Sequence, residues 1–459
     1  MGSFALPAPA AAILDRLEGA GYETWAVGGC VRDSLLGLCP QDWDLCTAAK
    51  PEEMQRVFSG WKVIPTGLRH GTVTVHLAGQ NWEVTSYRAD GSYSDHRRPD
   101  SVRFVRRVEE DLARRDFTVN AMAWHPRRGL FDPMGGRADL ENRVLRCVGE
   151  PGRRFDEDAL RILRGIRFAA WYGLAPEKET AAAIHRGKET LKLVAPERCM
   201  AELRRLLCAP GEQLAPVLEQ FWEVLAVLPG LDCLARMPGY DQGNPHHHLD
   251  LRGHTIQAVA SVPPREPLRL AALLHDSGKP ACRTVDKEGV AHYYGHAKES
   301  ARLAERALKR LRSPGELRRQ VVQLVELHDL WVPPTLPSAQ RWLGRLGEQA
   351  LRDLLALERG DTLAHAPACQ PPRLARLAQW EALLDQVVEE GDCLSLRDLA
   401  VKGEDLLALG FAAGPELGAT LRHLLEEVVE GRLENHREVL LAAAKERLEG
   451  ARSSPYPFL

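Results

Sequence analysis

The sequence predicts a small α/β head, built on a mixed sheet with helices, followed by a long all-helical body. Strand-like alternation, as in residues 72–77 and 82–87, stops near residue 140, and helical periodicity continues almost to the C-terminus. A chain of 459 residues is too long for one hydrophobic core, so two to four domains are expected. Hydrophobic residues make up 44% of the chain and charged residues 27%, which is ordinary for a globular protein.

Bulk charge and cysteine usage narrow the class of protein only loosely. Lysine and arginine total 60 against 63 acidic residues, so the net charge of −3 neither indicates nor excludes nucleic-acid binding through a local basic face. The ten cysteines form no Cys-x-x-Cys pair, which argues against a zinc ribbon and for reduced thiols in a cytoplasmic protein. Neither a signal peptide nor a membrane-spanning apolar run is recognised, and no obligatory protein partner is evident.

The most informative stretch is an apolar strand, a double-glycine turn at Gly28 and Gly29, a short helix carrying Arg32, and a second strand with Asp42 and Asp44. Glycines allow a backbone to approach a bulky anion, because no Cβ blocks it. Residues two apart on a strand face the same way, so the two carboxylates point together. A hard cation, most simply Mg²⁺ carrying a nucleoside triphosphate, suits this pair. A turn with two exposed aspartates is the alternative.

Three later segments add charged side chains to this head. Glu83 alternates into the strand 82–87 and is a candidate third carboxylate at the metal, with a solvent-facing glutamate as the alternative. Residues 88–99 are polar and aperiodic, which predicts a loop. Residues 112–123 (LARRDFTVNAMA) are expected to form a helix that places Asp116 and Asn120 on one face, beside arginines suited to phosphate.

Residues 155–170 (FDEDALRILRGIRFAA) predict one amphipathic helix with an apolar stripe. Its opposite face carries a charged cluster, for which surface salt bridges are the alternative interpretation. The residues of that cluster are Glu157, Asp158, Arg161, Arg164 and Arg167.

Histidines and aspartates accumulate at helix ends in the second half of the chain. An apolar helix ends on His275-Asp276, and another ends on His328-Asp329. Imidazole and carboxylate are common ligands of divalent metals, so this clustering favours a metal centre over buried structural histidines. The candidate ligands are His254, His275, Asp276, His296, His328 and Asp361.

Four motifs together carry a family resemblance over about residues 22–205: GGCVRDSLLG…DWD, LARRDFTVNAMA, DPMGGRADLENRVLRCVG and RRFDEDALRILRGIRFAA. They resemble the class II nucleotidyltransferases, the bacterial-type CCA-adding tRNA nucleotidyltransferases and their poly(A) polymerase relatives. The region from His254 to Asp361 resembles an HD-superfamily metal phosphohydrolase module, which some members carry.

The first resemblance implies roles for individual residues. Asp42 and Asp44 would hold the catalytic Mg²⁺ ions, with Glu83 as the candidate third carboxylate. Further positions would bind the nucleotide: Gly28, Gly29 and Arg32 at the triphosphate; Arg115, Asp116 and Asn120 at sugar and phosphate; and Glu157-Asp158-x-x-Arg161 at the base. Arg164 and Arg167 are further candidate nucleotide-binding residues. The second resemblance implies an unidentified divalent metal at the histidine cluster.

The base-selecting motif also has a physical rationale. Cytosine and adenine each present an amino donor beside a ring-nitrogen acceptor, whereas uracil and guanine present a carbonyl where the amino group should be. The Asp158 carboxylate and the Arg161 guanidinium, expected three residues apart on one helix, complement the first pair of bases. Each mismatched contact would cost roughly 1–3 kcal/mol. The resemblance therefore implies template-independent addition of C, C and A to the 3′ end of tRNA from CTP and ATP.

Two alternatives remain open from the sequence. A partial-activity relative would add only CC, only A, or a poly(A) tail. The resemblance implies that the loop between two strands decides whether A can follow CC, and the loop at 88–99, rich in arginine and tyrosine, then favours full CCA addition. A phosphohydrolase that uses residues 1–205 as a nucleotide- or tRNA-binding module is the alternative of a different class.

The motifs divide the chain into five expected domains. The expected order is a nucleotidyltransferase head, a nucleobase-selecting neck, a connector, an HD-type metal-binding domain and a helical tail. Their boundaries are 1–140, 141–210, 211–245, 246–370 and 371–459.

Overall fold

The computed structural model describes residues 4–68, 71–91, 101–390, 396, 398–429 and 431–453. The chain divides into two compact units. The first comprises Met1–Arg236 with Arg306–Pro314, and the second comprises Met237–Glu305 with Gly315–Leu459. The five expected domain boundaries remain predictions, and the first change of unit lies inside the expected connector 211–245.

The first unit is an α/β head followed by helices, as the sequence predicts. Its strands are β1 Thr24–Val27, β2 Asp44–Thr47, β3 Lys62–Gly67, β4 Thr72–Leu77, β5 Gln80–Ser86, β6 Arg88–Asp90, β7 Val102–Phe104, β8 Ala123–His125, β9 Gly129–Phe131, β10 Val144–Leu145 and β11 Ala175–Pro176. Its helices are α1 Ala8–Gly19, α2 Gly29–Leu35, α3 Pro51–Val57, α4 Val108–Ala113, α5 Gly136–Glu141, α6 Pro151–Glu157, α7 Leu160–Tyr172, α8 Lys178–Gly187, α9 Pro196–Leu207 and α10 Gly211–Ala226.

The head is built on a seven-stranded sheet in the order β3-β4-β5-β2-β1-β8-β9. Strands β2 and β5 are parallel and the other neighbours are antiparallel, so the sheet is mixed. Strand β1 lies inside the sheet between β2 and β8, and all four of its residues are buried. Side chains such as Trp25, Val27 and Tyr87 form a core against one part of the sheet. This packing holds the ends of β1 and β2 in place, where the glycine turn and the carboxylates lie.

The second unit is almost entirely helical. Its elements are α11 Leu251–Ser261, α12 Glu266–Leu274, α13 Lys279–Cys282, the hairpin β12 Thr284–Val285 and β13 Ala291–His292, α14 His296–Arg310, α15 Gly315–Leu327, α16 Leu336–Leu346, α17 Glu348–Ala364, α18 Gln370–Glu390, α19 Gly403–Ala408, α20 Pro415–Val429 and α21 Arg437–Ser453. The tail has a small apolar core of its own, built from residues such as Leu406, Leu424 and Leu440. Across the described ranges no helix combines the length and apolarity needed to cross a bilayer.

Two helix predictions are wrong. The predicted helix 112–123 does not form, because α4 ends at Ala113 and the chain turns extended at Phe117, which pairs with Cys147. The predicted helix 155–170 is two helices, because Asp158 is extended at φ −144° and ψ 105°. The Asp158 carboxylate accepts a hydrogen bond from the backbone N–H of Leu160 at 3.1 Å, which favours a new helix start over continuation.

The predicted loop 88–99 is partly strand. Its first residues form β6, which pairs with β7. The rest of that prediction, from residue 92 onward, lies outside the described residues.

Candidate active site and candidate metal centre

Three predicted carboxylate ligands line one cavity near the point where β2 and β5 begin to run side by side. Asp44 is the first residue of β2, and Asp42 precedes the strand, whereas the sequence predicts both on it. Leu45 is paired with Val84 in the parallel ladder, so Asp44 and Glu83 are the next neighbours in register. All three acids are solvent-accessible and line one cavity of about 1310 Å³. The sheet register therefore places Asp44 and Glu83 side by side on the wall of this cavity. In the described part of the chain, the three acids do not form a group with all ligand atoms within 4.8 Å of one another.

The electrostatics of this group suit a cation. Removal of water from around Asp44 raises the pKa of its carboxyl, the Arg115 guanidinium opposes this, and the neighbouring Asp42 charge raises it further. Carboxylates that repel one another and open to a cavity are hard oxygen ligands, which fit a divalent ion such as Mg²⁺.

The glycine turn lies at the end of β1. Gly28 has φ +79° and ψ −126°, a conformation that side chains disfavour. A Cβ added at Gly28 would lie 2.7 Å from Nη1 of Arg115, so the missing side chain leaves room for that guanidinium. Arg115 also pairs with buried Asp111 at 3.3 Å. The double glycine thus brings a fixed cation against the start of α2.

Arg32 is more enclosed than the sequence suggests. It is only 5% exposed, and its guanidinium donates to Asn120 at 2.5 Å, to the Tyr172 hydroxyl at 2.5 Å and to Asp33 at 2.9 Å. It also lies over the Tyr172 ring at 4.1 Å. Arg32 therefore forms part of the wall of the cleft, and its expected contact with a triphosphate remains a prediction.

Asp116 and Asn120 meet although the helix predicted to join them is absent. The Asn120 amide donates to Asp116 Oδ1 at 3.2 Å across a tight turn that includes residues 118–120. Arg164 of α7 donates from Nε and Nη2 to Asp116 Oδ2 at 2.9 and 2.7 Å. Burial would raise the pKa of Asp116, but Arg164 and the hydrogen bond from Asn120 bring it down to about 2. Asp116 therefore orients Arg164.

The predicted base-reading pair lies at the start of α7. Asp158 sits in the break before the helix, and Arg161 lies in its first turn, so the two are not on one continuous helix face as predicted. Arg161 donates from Nη1 to Glu157 Oε2 at 2.5 Å. Arg198 of α9 donates to Asp158 Oδ2 at 2.9 Å. Each member of the pair is thus held by an oppositely charged neighbour.

These segments converge on one cleft of about 600 Å³. Its wall combines residues of the glycine turn, the carboxylate strand, the 114–120 segment and α7, including Gly28, Asp42, Arg115, Asp158 and Arg161. Glu83 lies in the adjoining cavity, which shares Asp42 and Asp44 with this one. Arg167 also lines the cleft and pairs with Glu202 at 2.6 Å. The space is large enough for a small ligand, whose sites run from about 300 to 1,000 Å³.

Sequence reasoning missed three supporting residues. Asp111, Tyr172 and Arg198 contact cleft residues but were assigned no role. Spacing offered a signal only for Asp111, which lies three and four residues before Arg114 and Arg115. Tyr172 and Arg198 reach the cleft from α7 and α9 through tertiary packing.

In the second unit, all six predicted metal ligands come together. Nε2 of His254 lies 3.2 Å from Asp276 and 2.9 Å from Asp361, and Nε2 of His275 lies 3.2 Å from Asp276. On the other side of Asp276, Nε2 of His296 lies 3.3 Å and Nε2 of His328 3.7 Å from Oδ1. Two ligand groups therefore share the Asp276 carboxylate.

The hydrogen bonds of the four imidazoles fit metal ligation. Each Nδ1 lies 2.7–3.2 Å from a backbone carbonyl, which makes it the protonated nitrogen and directs the Nε2 lone pair inward. Nε2 of His254 and Nε2 of His275 are buried without a hydrogen-bond partner in the described part of the chain. Oδ2 of Asp276 lies 2.7 Å from Nζ of Lys279. Buried ligand atoms left unsatisfied in this way are what a divalent cation would complete.

The fold and the arginine-lined cleft define the chain as a nucleotidyltransferase. Family models match it in three places: a poly A polymerase head domain at residues 24–146, a probable RNA- and SrmB-binding site of polymerase A at 173–224, and a tRNA nucleotidyltransferase domain 2 at 291–444. A CCA-adding enzyme of Limosilactobacillus fermentum is 34% identical over 442 residues, which cover 96% of this chain and 97% of the relative. The chain belongs to the family of CCA-adding enzymes.

Further comparisons agree with this assignment. A CCA-adding enzyme of Geobacillus kaustophilus is 44% identical over 219 residues, which cover 48% of this chain and 54% of the relative. The crystal structure of the Bacillus stearothermophilus CCA-adding enzyme in complex with CTP has a TM-score of 0.69 and 28% identity, covering 96% of this chain and 98% of that chain. The match at residues 291–444 overlaps both the expected HD-type domain 246–370 and the expected tail.

Proposed function

We propose that this protein adds C, C and A to the 3′ end of tRNA, using CTP and ATP without a nucleic-acid template. The observation that carries the proposal is the cleft in which the carboxylates Asp42 and Asp44, the glycine turn and the Asp158–Arg161 pair meet. The names of the relatives, all CCA-adding enzymes, support the same reaction.

The phosphate side of the cleft supplies charge and position. Asp42 and Asp44 would hold Mg²⁺, which when bound would supply positive charge to acidify the attacking 3′-hydroxyl and to stabilise the leaving pyrophosphate. Arg115 would contact the triphosphate. Its guanidinium is paired with Asp111 and occupies the space that a side chain at Gly28 would fill. Because Arg115 is already paired, little reorganisation is needed when the anion arrives.

The base side of the cleft supplies selection. Asp158 would accept the amino hydrogen of cytosine or adenine, and Arg161 would donate to the ring nitrogen. A carboxylate oxygen has two lone pairs, so Asp158 Oδ2 can keep its bond to Arg198 and still accept from a base. Uracil and guanine would present a carbonyl to this carboxylate and be rejected.

Nucleotide incorporation tests the proposal. Protein, Mg²⁺ and each labelled nucleoside triphosphate are incubated with tRNA lacking its terminal triplet, and addition of C, C and then A is expected. Asp42→Asn and Asp44→Asn should abolish incorporation while circular dichroism stays unchanged, and Glu212→Gln, at an exposed site on α10, should leave both unchanged. Runs of A would indicate poly(A) synthesis instead, and full activity in both aspartate variants would contradict the assignment.

The histidine cluster favours a second activity, metal-dependent phosphate ester hydrolysis in the second unit. It rests on the buried Nε2 and Oδ2 atoms that converge around Asp276. A divalent metal bound there supplies Lewis-acid activation of a phosphoryl oxygen. Lys279, whose Nζ lies 2.7 Å from Asp276, adds positive charge beside the cluster.

Metal analysis and hydrolysis assays test this second activity. The wild type is expected to retain a divalent metal and to release phosphate from p-nitrophenyl phosphate, and His275→Ala should lose both. His423→Ala, in the tail, is the matched histidine control. A wild type that binds no divalent ion would contradict the assignment.

The cytoplasm is the compartment we propose. The nine cysteines in the described ranges are free thiols, which suits a reducing environment.

A further inference from the structure

Arg373 stands where two cavities of the second unit adjoin. One cavity, of about 280 Å³, lies beside Asp276 and His296, and the other, of about 390 Å³, lies beside Trp331 and Glu358. Both are lined by Arg373 and by the ligand residues His328 and Asp361. Within the described ranges Arg373 makes no hydrogen bond or ion pair, although its charge opposes the rise that burial causes in the pKa of Glu358 in the second cavity. An unpaired guanidinium beside a candidate metal centre is suited to a phosphate oxygen.

Each cavity carries one exposed aromatic ring. Tyr294, in the first, is 79% exposed, and Trp331, in the second, is 69% exposed. One face of the Tyr294 ring stacks on His292 at 5.5 Å between centroids and an interplanar angle of 8°. Nε2 of His292 is in turn 2.8 Å from Asp286, at the β12–β13 hairpin. His292 of the hairpin thus covers one face of the Tyr294 ring, and the side chain as a whole stays largely exposed.

We propose that this part of the chain is a bipartite site for a phosphodiester that joins two nucleosides. The phosphate would lie at the junction against Arg373, and one base would stack on Tyr294 and the other on Trp331. This inference rests on the hydrolytic activity proposed for the second unit and names its substrate class. Two aromatic-lined cavities, one on each side of a phosphate position, fit a diester with two bases better than a monoester with one.

The reaction is hydrolysis, and it balances without a further reactant. A water molecule adds its oxygen to phosphorus, and the bond from phosphorus to one ribose oxygen breaks. The departing ribose oxygen takes up a proton, so one nucleoside and one nucleoside monophosphate are released. Arg373 stays protonated throughout and holds a non-bridging oxygen.

A matched pair of substrates isolates the second base. Adenylyl-(3′→5′)-adenosine carries two bases, and the methyl ester of adenosine 5′-phosphate keeps the diester and one base. With Mn²⁺ present, the wild type is expected to show a KM at least tenfold lower for the dinucleotide, since stacking on one aromatic ring contributes roughly tenfold. An RNA with an unpaired 3′ end, tested in parallel, shows whether the diester can belong to RNA as well as to a free dinucleotide.

Variants assign the effect to the two rings and to the arginine. Tyr294→Ala and Trp331→Ala should each remove the preference for the dinucleotide, whereas Tyr294→Phe, which keeps the ring, should retain it. Arg373→Met should raise KM for both diesters alike. Binding gives an independent readout: dinucleotide added with Ca²⁺ should quench a tryptophan fluorescence component that is missing in Trp331→Ala.

The outcomes distinguish the bipartite site from the hydrolytic activity proposed for the second unit. If both diesters are hydrolysed equally well, or the ring variants keep the preference, the bipartite site is wrong and the hydrolase stands. If p-nitrophenyl phosphate and both diesters are left intact and no metal is retained, the hydrolase and the inference are both wrong.

Discussion

Arginines in the first unit's cleft are each held by an acid. Asp116 holds Arg164, Glu157 holds Arg161, and Asp158 is itself held by Arg198. These pairs are partly buried, so removing one partner leaves the other charge uncompensated in a poorly solvated place. The pairs keep the cleft's cations oriented before a nucleotide enters, which is how preorganised electrostatic catalysis works.

Asp116→Asn should therefore weaken nucleotide binding and make the free energy of unfolding less dependent on pH in the acid range. The folded-state pKa of about 2 lies below the unfolded value of about 3.9, so Asp116 contributes stability above pH 4 that is lost as pH falls towards 2. In the variant, KM for CTP should rise about tenfold, which corresponds to about 1.4 kcal/mol. The free energy of unfolding, measured by chemical denaturation between pH 7 and pH 2, should fall less steeply with pH in the variant than in the wild type. An equally steep fall would contradict the pairing.

Arg198→Met should alter base selection through Asp158. Without its partner at 2.9 Å, the carboxylate loses one of the two contacts that orient it. Discrimination of CTP over UTP, measured as the ratio of kcat/KM, should fall about tenfold, the effect of roughly one lost contact. Arg198→Lys should recover part of the ratio, and Arg186→Met, at an exposed site on α8, should leave it unchanged. A drop in kcat with the ratio preserved would mean that Arg198 has only a structural role.

At the scale of elements, the turn after β1 is sensitive to substitution at Gly28. Gly28→Ala would strain a positive φ and place a methyl group 2.7 Å from Arg115. Gly37 also has a positive φ, of +72°, but open space around its Cβ position. Both alanine variants should lose about 1–2 kcal/mol of unfolding free energy. Only Gly28→Ala should also raise KM for the triphosphate, and equal kinetic effects would contradict the role given to Arg115.

His125, at the end of β8, couples the sheet edge to α1. Its Nδ1 accepts from the backbone N–H groups of Arg127 and Arg128 at 3.0 and 3.2 Å, and Nε2 faces Glu18 at 3.1 Å. Burial lowers the pKa of His125, although Glu18 opposes this. The folded pKa lies below the unfolded value of about 6.5, so this contribution to stability is lost as pH falls below about 6.5.

His125→Gln should remove that pH dependence. Urea midpoints measured between pH 8 and pH 5 should decline more steeply in the wild type than in the variant. Parallel curves would show that another group is responsible.

At the scale of the whole molecule, the two units should respond to cations separately. A divalent ion at 100 times its dissociation constant stabilises its site by about 2.7 kcal/mol. Mn²⁺ should therefore slow amide hydrogen exchange in three helices. These are α11, which carries His254, α12, which ends just before His275, and α17, which carries Asp361. The protection should vanish in His275→Ala and persist in Asp42→Asn. Loss of protection in Asp42→Asn would mean that the ion acts elsewhere.

Local sequence patterns predicted much of this architecture, but they failed at two polar turns. The alternation in 72–77 and 82–87 predicted β4 and β5, and the apolar run before His275 predicted α12. The helices predicted across Asp116 and Asp158 are wrong, because each carboxylate accepts a hydrogen bond from nearby backbone N–H and so competes with helix continuation. Periodicity reports which face is apolar and does not report this competition.

The sequence by itself determined the kinds of chemistry present: paired carboxylates after a glycine turn, an acid and an arginine for the base, and imidazoles with carboxylates for a metal. Those residue types and short spacings are local properties, and their chemistry does not depend on the rest of the chain. Only the tertiary structure decided which groups meet. Glu83 lies beside Asp44 in the β2–β5 register, Arg198 reaches Asp158 from α9, and Asp276 is shared by histidines from α11, α14 and the end of α15. Contacts between residues 20 or more positions apart arise from how strands and helices pack, and no local pattern encodes them.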